Sequence, residues 1–124
     1  MVLYEVELEP EVRAWLAGLS DRDHAKVDFA VGMLLEAPLT LGEPWSRHLD
    51  GKTRELRFNL GSRQQRITYW IASGQRIVLL TQFRKTKQNE SAEVTRALVK
   101  QEECETRHLA DAAHVYSRTM KKGE

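Results

Sequence analysis

Apolar residues alternate with polar ones from Val2 to Leu8, putting Tyr4, Val6 and Leu8 on one face and predicting a first strand. The period then lengthens. Pro10 suits the first turn of a helix, and Val12, Trp15, Leu16 and Leu19 follow at helical spacing. Ser20-Asp21-Arg22-Asp23 reads as an N-cap with acids in the first turn. The second helix that it opens carries the stripe Val27, Val31, Leu34 and Leu35, and Pro38 ends it. Residues 40–51, with Gly42, Pro44, Trp45 and His48, read as a loop.

Three strands follow. Over Arg54–Leu60, Leu56, Phe58 and Leu60 point inward and Glu55, Arg57 and Asn59 outward. Over Gln65–Ile71, Ile67, Tyr69 and Ile71 share one face, and Arg66, Thr68 and Trp70 the other. Ser73-Gly74 signals a hairpin, and the apolar run through Arg76–Phe83 marks a central strand buried on both sides. By the same alternation Tyr69 and Phe83 belong to the core. A last helix, capped near Asn89 or Ser91, carries Val94, Ala97, Leu98 and Gln101, and the chain ends in a polar tail from about residue 109. The predicted order is β-α-α-β-β-β-α: one α+β domain over residues 1–124, with an antiparallel-rich sheet, a helical hairpin and a C-terminal helix. One sheet face stays partly open, with Arg57 and Arg66 on it.

Charge changes this picture. The 124 residues sum to +1, yet residues 46–87 hold ten Lys and Arg against Asp50 and Glu55. Residues 1–45 hold three basic and nine acidic residues. The basic middle is also the β-rich middle. Basic charge gathered on a sheet is what a polyanion site needs, because phosphate contacts supply most of the affinity for nucleic acid.

Other classes recede. No run approaches the ~18 apolar residues of a membrane span, and Met1–Glu11 has four acids and no basic residue, so neither a membrane segment nor a signal peptide is expected. The lone Cys104 suits a reducing cytoplasm. It reads as a small apolar group rather than a nucleophile. His24, His48, His108 and His114 are scattered without metal-ligand spacing, so no metal and no cofactor is expected.

The segments Leu49-Asp50-Gly51-Lys52-Thr53-Arg54-Glu55-Leu56-Arg57, Arg66-Ile67-Thr68-Tyr69 and Ile77–Lys87 together resemble the RelE/HigB toxin superfamily. They are most similar to its phage-derived HigB-like branch, with the pattern L-x-G-L-x-E-L-R, then R-x-x-Y, then a strand ending F-x-K-K. The element order agrees from Leu3 to about Arg107. Two positions depart: the last basic residue of F-x-K-K is displaced to Lys87, and a strand Lys pair seen in some members is replaced by Arg54, Glu55 and Arg57.

The resemblance implies a type II toxin that cleaves mRNA, commonly on the translating ribosome. It also implies a cognate antitoxin, commonly a helix-turn-helix HigA-like protein, through which alone operator DNA would be bound. RNA is cut without a metal when its 2′-OH attacks the adjacent phosphate. The protein must then take a proton, hold the phosphoryl charge and protonate the leaving oxygen. Arginine's planar fork suits the charge, so Arg66, with Arg57 beside it, is the first catalytic candidate. Lys85 and Lys87 are candidates for proton transfer. Arg54, Arg84, Lys52 and Arg63 are candidate RNA contacts. Trp70 can stack a base or pack against the last helix. His48 is a weaker candidate base. The rival readings are a non-catalytic gyrase inhibitor of ParE type on the same fold, and a nucleic-acid-binding domain without activity.

Overall fold

A computed structural model of the chain describes residues 3–110, with side chains through Arg107. The polar tail, His114 and Lys121-Lys122 lie outside the described residues. The elements run β1 (Glu5–Leu8), α1 (Pro10–Ala17), α2 (Asp21–Glu36), β2 (Ser46–Asp50), β3 (Thr53–Leu60), β4 (Arg63–Ala72), β5 (Arg76–Arg84) and α3 (Glu90–Ala110). The α+β class and the order of helices stand. One strand was not foreseen: β2 occupies part of the loop expected over residues 40–51. Ser-Arg-His-Leu-Asp shows no apolar alternation because β2 is a sheet edge, polar on both sides, held through its backbone to β3.

The sheet order is β1-β5-β4-β3-β2, with β1 parallel to β5 and every other pair antiparallel. β5 lies between β1 and β4, and Ile77 through Thr81 are all buried, as the apolar run predicts. On one face, α1 and α2 cover the main core. Val12, Leu16, Val27, Ala30, Val31 and Leu34 meet Leu56, Leu60, Ile67, Tyr69, Ile77 and Leu79 there. Ser20 caps α2, its Oγ accepting from the Asp23 N–H at 3.1 Å.

On the opposite face a smaller cluster of Trp70, Ala72, Val78 and Leu80 packs with Cys104 of α3. Carboxylates from the β1–α1 segment anchor that helix. Glu11 pairs with Arg96 through both guanidinium ends, at 2.5 and 2.9 Å, and the buried Glu9 pairs with Arg107 at 2.6 Å. The acidic first third of the chain thus serves in part to hold α3 down.

The β4–β5 register shifts once. Thr68 faces Thr81, whereas Tyr69 faces Leu79, so Leu80 is an extra residue in the ladder. This bulge reverses the parity of the rest of β5. Phe83 is buried as expected, but on the α3 face opposite Arg66 and not in the hairpin-side core that uninterrupted alternation assigns. Arg84, opposite Gln65, passes to the hairpin face. Leu34 is fully buried in the main core. Leu34→Ala should therefore cost about 3 kcal/mol, read from urea unfolding, through lost transfer energy and a residual cavity.

Candidate active site

Directly opposed residues in an antiparallel ladder share a face, so the register gives two rows across the α3 face. The first runs Arg47–Glu55–Thr68–Thr81 and the second Arg57–Arg66–Phe83. Three cations and one carboxylate converge there. Glu55 Oε2 lies 3.7 Å from Arg57 Nε and 3.7 Å from Arg66 Nε. Arg57 also reaches Glu43 at 3.8 Å, and Arg47 reaches Glu90, the first residue of α3, at 4.0 Å.

Glu55 is fully buried, and neither carboxylate oxygen has a hydrogen-bond partner among the described residues. Burial raises its pKa above the ordinary carboxylate value, against the opposing pull of Arg66 and then Arg57. Arg66 is shifted the other way. Burial lowers its pKa, Glu55 opposes the shift, and Arg57 adds to it. The two groups are poorly solvated partners whose strong coupling depends on the other being charged. Burial thus leaves the Glu55 carboxylate readier than usual to accept a proton.

The cluster opens to solvent. A cavity of about 360 Å³ is lined by Arg57 and Arg66 together with Pro44, Trp45, Asn59 and Gln64. Arg66 forms its floor, only 5% exposed, with Nη1 donating to the Gln65 carbonyl at 3.2 Å. Arg57, whose side chain is 25% exposed, offers the more accessible fork. Among the described residues no group of three His, Cys, Asp or Glu could hold a metal ion.

A family model for phage-derived Gp49-like proteins (DUF891) matches residues 14–114. The chain belongs to the Gp49-like family. Its fold is similar to that of the Escherichia coli toxin RelE, solved in the free state with two arginines replaced by alanine. The TM-score is 0.51 and the identity 15%, covering 81% of this chain and 98% of RelE. A second similar structure is the toxin–antitoxin complex RelBE2 from Mycobacterium tuberculosis, at TM-score 0.49 and 30% identity, over 68% of this chain and all of that one. No curated protein matches the sequence. This Gp49-like chain therefore has the RelE fold.

The ten residues singled out from the sequence do not all meet. Arg57 and Arg66 are brought together as expected. Lys85 extends β5 by donating its N–H to the Gln64 carbonyl at 2.8 Å, which puts it on the Arg66 side by alternation from Phe83. Lys87 is exposed in the loop that follows. Trp70 is buried, with Nε1 donating to Cys104 Sγ at 3.4 Å, and so packs against α3 instead of facing RNA. Arg54 lies on the opposite face beside Tyr69, bonded to Ser46 Oγ and Tyr69 Oη at 3.3 Å. Arg63 pairs with Asp23 of α2 at 3.3 Å, and Arg84 has been turned to the hairpin face by the bulge. Lys52 sits in the β2–β3 turn, paired with Glu105 of α3. His48 is paired with Arg54 across the ladder, and its Nε2 lies 2.8 Å from the Gly51 carbonyl, off the cluster.

Two groups escaped the sequence reading. Glu55 has the parity of Arg57, which signals that it shares the site. Arg47 could be placed only once residues 46–50 were known to pair with β3. The edge strand that carries Arg47 is tied in by a buried bond of 2.6 Å between Ser46 Oγ and Tyr69 Oη. Tyr69→Phe should cost about 1 kcal/mol and speed hydrogen exchange of the β2 amides; unchanged β2 protection would contradict that anchoring role.

Proposed function

We propose that this protein is the toxin of a type II toxin–antitoxin pair, a metal-independent endoribonuclease that cleaves mRNA, with the ribosome as its platform. The observation that carries the reading is the buried Glu55 carboxylate, 3.7 Å from both Arg57 and Arg66, with those two arginines lining an open cavity. A RelE fold lends support. So does the chemistry: a base with a raised pKa beside two fixed cations is what attack by a 2′-OH on its own phosphate requires.

In this mechanism Glu55 accepts the 2′-hydroxyl proton as the 2′-oxygen attacks phosphorus. Arg57 and Arg66 hold the non-bridging oxygens while negative charge builds on them. The bond to the 5′-oxygen breaks, and the Lys85 or Lys87 ammonium supplies its proton. The products are a 2′,3′-cyclic phosphate and a 5′-hydroxyl end. Arg47 and Lys52, at the α3 margin of the face, guide the flanking backbone. The cognate antitoxin, a helix-turn-helix HigA-like protein, would silence the enzyme in the cytoplasm by laying an acidic segment over this face, ordering as it binds.

Primer extension on one mRNA in a translating extract tests this. Arg66→Ala should reduce cleavage at least about 100-fold while circular dichroism shows the fold retained; retained cleavage sinks the assignment. Cuts should vanish when ribosomes are removed, and cuts on bare RNA would restrict the proposal to a free ribonuclease. The base must be ionised, and Glu55 titrates above its ordinary range. The rate should accordingly fall as pH drops through that raised value. Glu55→Gln should lose about 100-fold and abolish this acid limb; a variant that keeps the limb shows that another group is the base.

A further inference from the structure

The arginine cavity does not end at the sheet. β2 pairs with β3 as far as Ser46 opposite Leu56, and Trp45 still accepts from the Arg57 N–H, so from Phe58 to Leu60 β3 is an edge strand. Around that edge lies a second cavity of about 410 Å³, reaching Lys26 and Phe29 of α2. Trp45, Phe58 and Asn59 line both spaces. The two adjoin at these residues, and together they make a groove with one part on the guanidinium side of the β3 edge and the other beside α2.

Its walls are unusual for surface. Trp45 is 40% and Phe29 67% exposed, and the nearly buried Phe58 lies between the two spaces. The position of Trp45 is fixed relative to the arginines. Its N–H donates to the Gly42 carbonyl at 3.0 Å, and its carbonyl accepts from the Arg57 N–H at 2.8 Å. The groove's lining includes Lys26, Arg57 and Arg66 and no carboxylate residue. A cationic, aromatic groove matches a ligand that is anionic at one end and flat at the other.

We propose that this groove seats the base of a nucleotide flanking the scissile phosphate, stacked on Trp45 with Phe29 as the second wall. The assignment rests on the endoribonuclease reading above for the position of that phosphate. A base hangs one sugar away from its phosphate, and the groove leads from Arg57 to an exposed indole without interruption. Asn59 offers an exposed amide to the base edge, and Lys26 a cation to the next phosphate. Stacking of this kind tolerates any base while favouring those with the larger face. Trp45 would thus bias where the enzyme cuts, whereas Arg57 and Arg66 set whether it cuts.

Two readouts test this on Trp45→Ala, Trp45→Phe and Phe29→Ala. One is tryptophan fluorescence during titration with a short, uncleavable single-stranded 2′-O-methyl RNA. The other is the rate and position of cuts in the translating extract. Trp45→Ala should bind the RNA about tenfold more weakly, lose the quenching, and spread its cuts over more sites; Trp45→Phe should restore most of the affinity. Phe29→Ala, a change at an exposed position, should weaken binding in the same direction even if Trp45→Ala proves unstable. Wild-type affinity and cut positions in both alanine variants overturn the base site and leave the groove to a protein partner. Quenching of Trp45 by RNA without any mRNA cleavage would overturn the nuclease reading while supporting the base site.

Discussion

A carboxylate removed from water must be neutralised, hydrogen-bonded or paired, and Glu55 is given only the last of these. Its two partners, Arg57 and Arg66, stand at 3.7 Å and come from adjacent strands. Much of the surrounding architecture keeps that arrangement in place. The β3–β4 ladder sets Arg57 directly opposite Arg66, and β2 closes the near side with Arg47 opposite Glu55. On the far side Thr68 and Thr81 share a buried hydroxyl contact at 2.5 Å, so the row stays polar into the sheet. An arrangement that strands a charge is unfavourable for stability, which is why such groups mark sites where chemistry is done.

The bulge at Leu80 decides what the site may contain. It puts Phe83 against Arg66 and removes Arg84 to the other face, while Leu80 itself joins the packing beneath α3. The same helix, held by Glu9 and Glu11, occupies the part of the face where Trp70 lies. What remains open is the end carrying Arg47, Arg57 and Arg66. The strongly basic middle of the sequence is therefore not one basic surface. Arg54, Arg63 and Arg84 are spent on the hairpin face, and only part of the set faces the cavity.

Legibility followed the same physics. Helices with clear apolar stripes, such as α2, a strand with strict alternation, β3, and one with a continuous apolar run, β5, could be read from local pattern. Arg57 and Arg66 were legible because parity puts both on the open face and the R-x-x-Y pattern marks Arg66. Phe83 and Arg84 were misplaced because a single inserted residue flips every position beyond it, and nothing in the run Ile77–Phe83 marks where that insertion falls. β2 was missed because an edge strand owes its conformation to backbone pairing and to the Ser46–Tyr69 contact, which are long-range. Glu55 was visible as an outward residue, but its burial came from tertiary packing. Trp45 read as an ordinary loop residue until β2 and α2 were found on either side of it.

The proposed chemistry depends on a desolvated carboxylate lying between two arginines, and a titration of Glu55 itself is the most direct test. Carboxyl carbon shifts followed by NMR in the wild-type protein should give a pKa above the ordinary 4.5. In Arg66→Met, where burial persists and a cation is lost, it should rise further. A Glu55 that titrates at or below the ordinary value, or that does not respond to loss of Arg66, would contradict the arrangement on which the proposed chemistry stands.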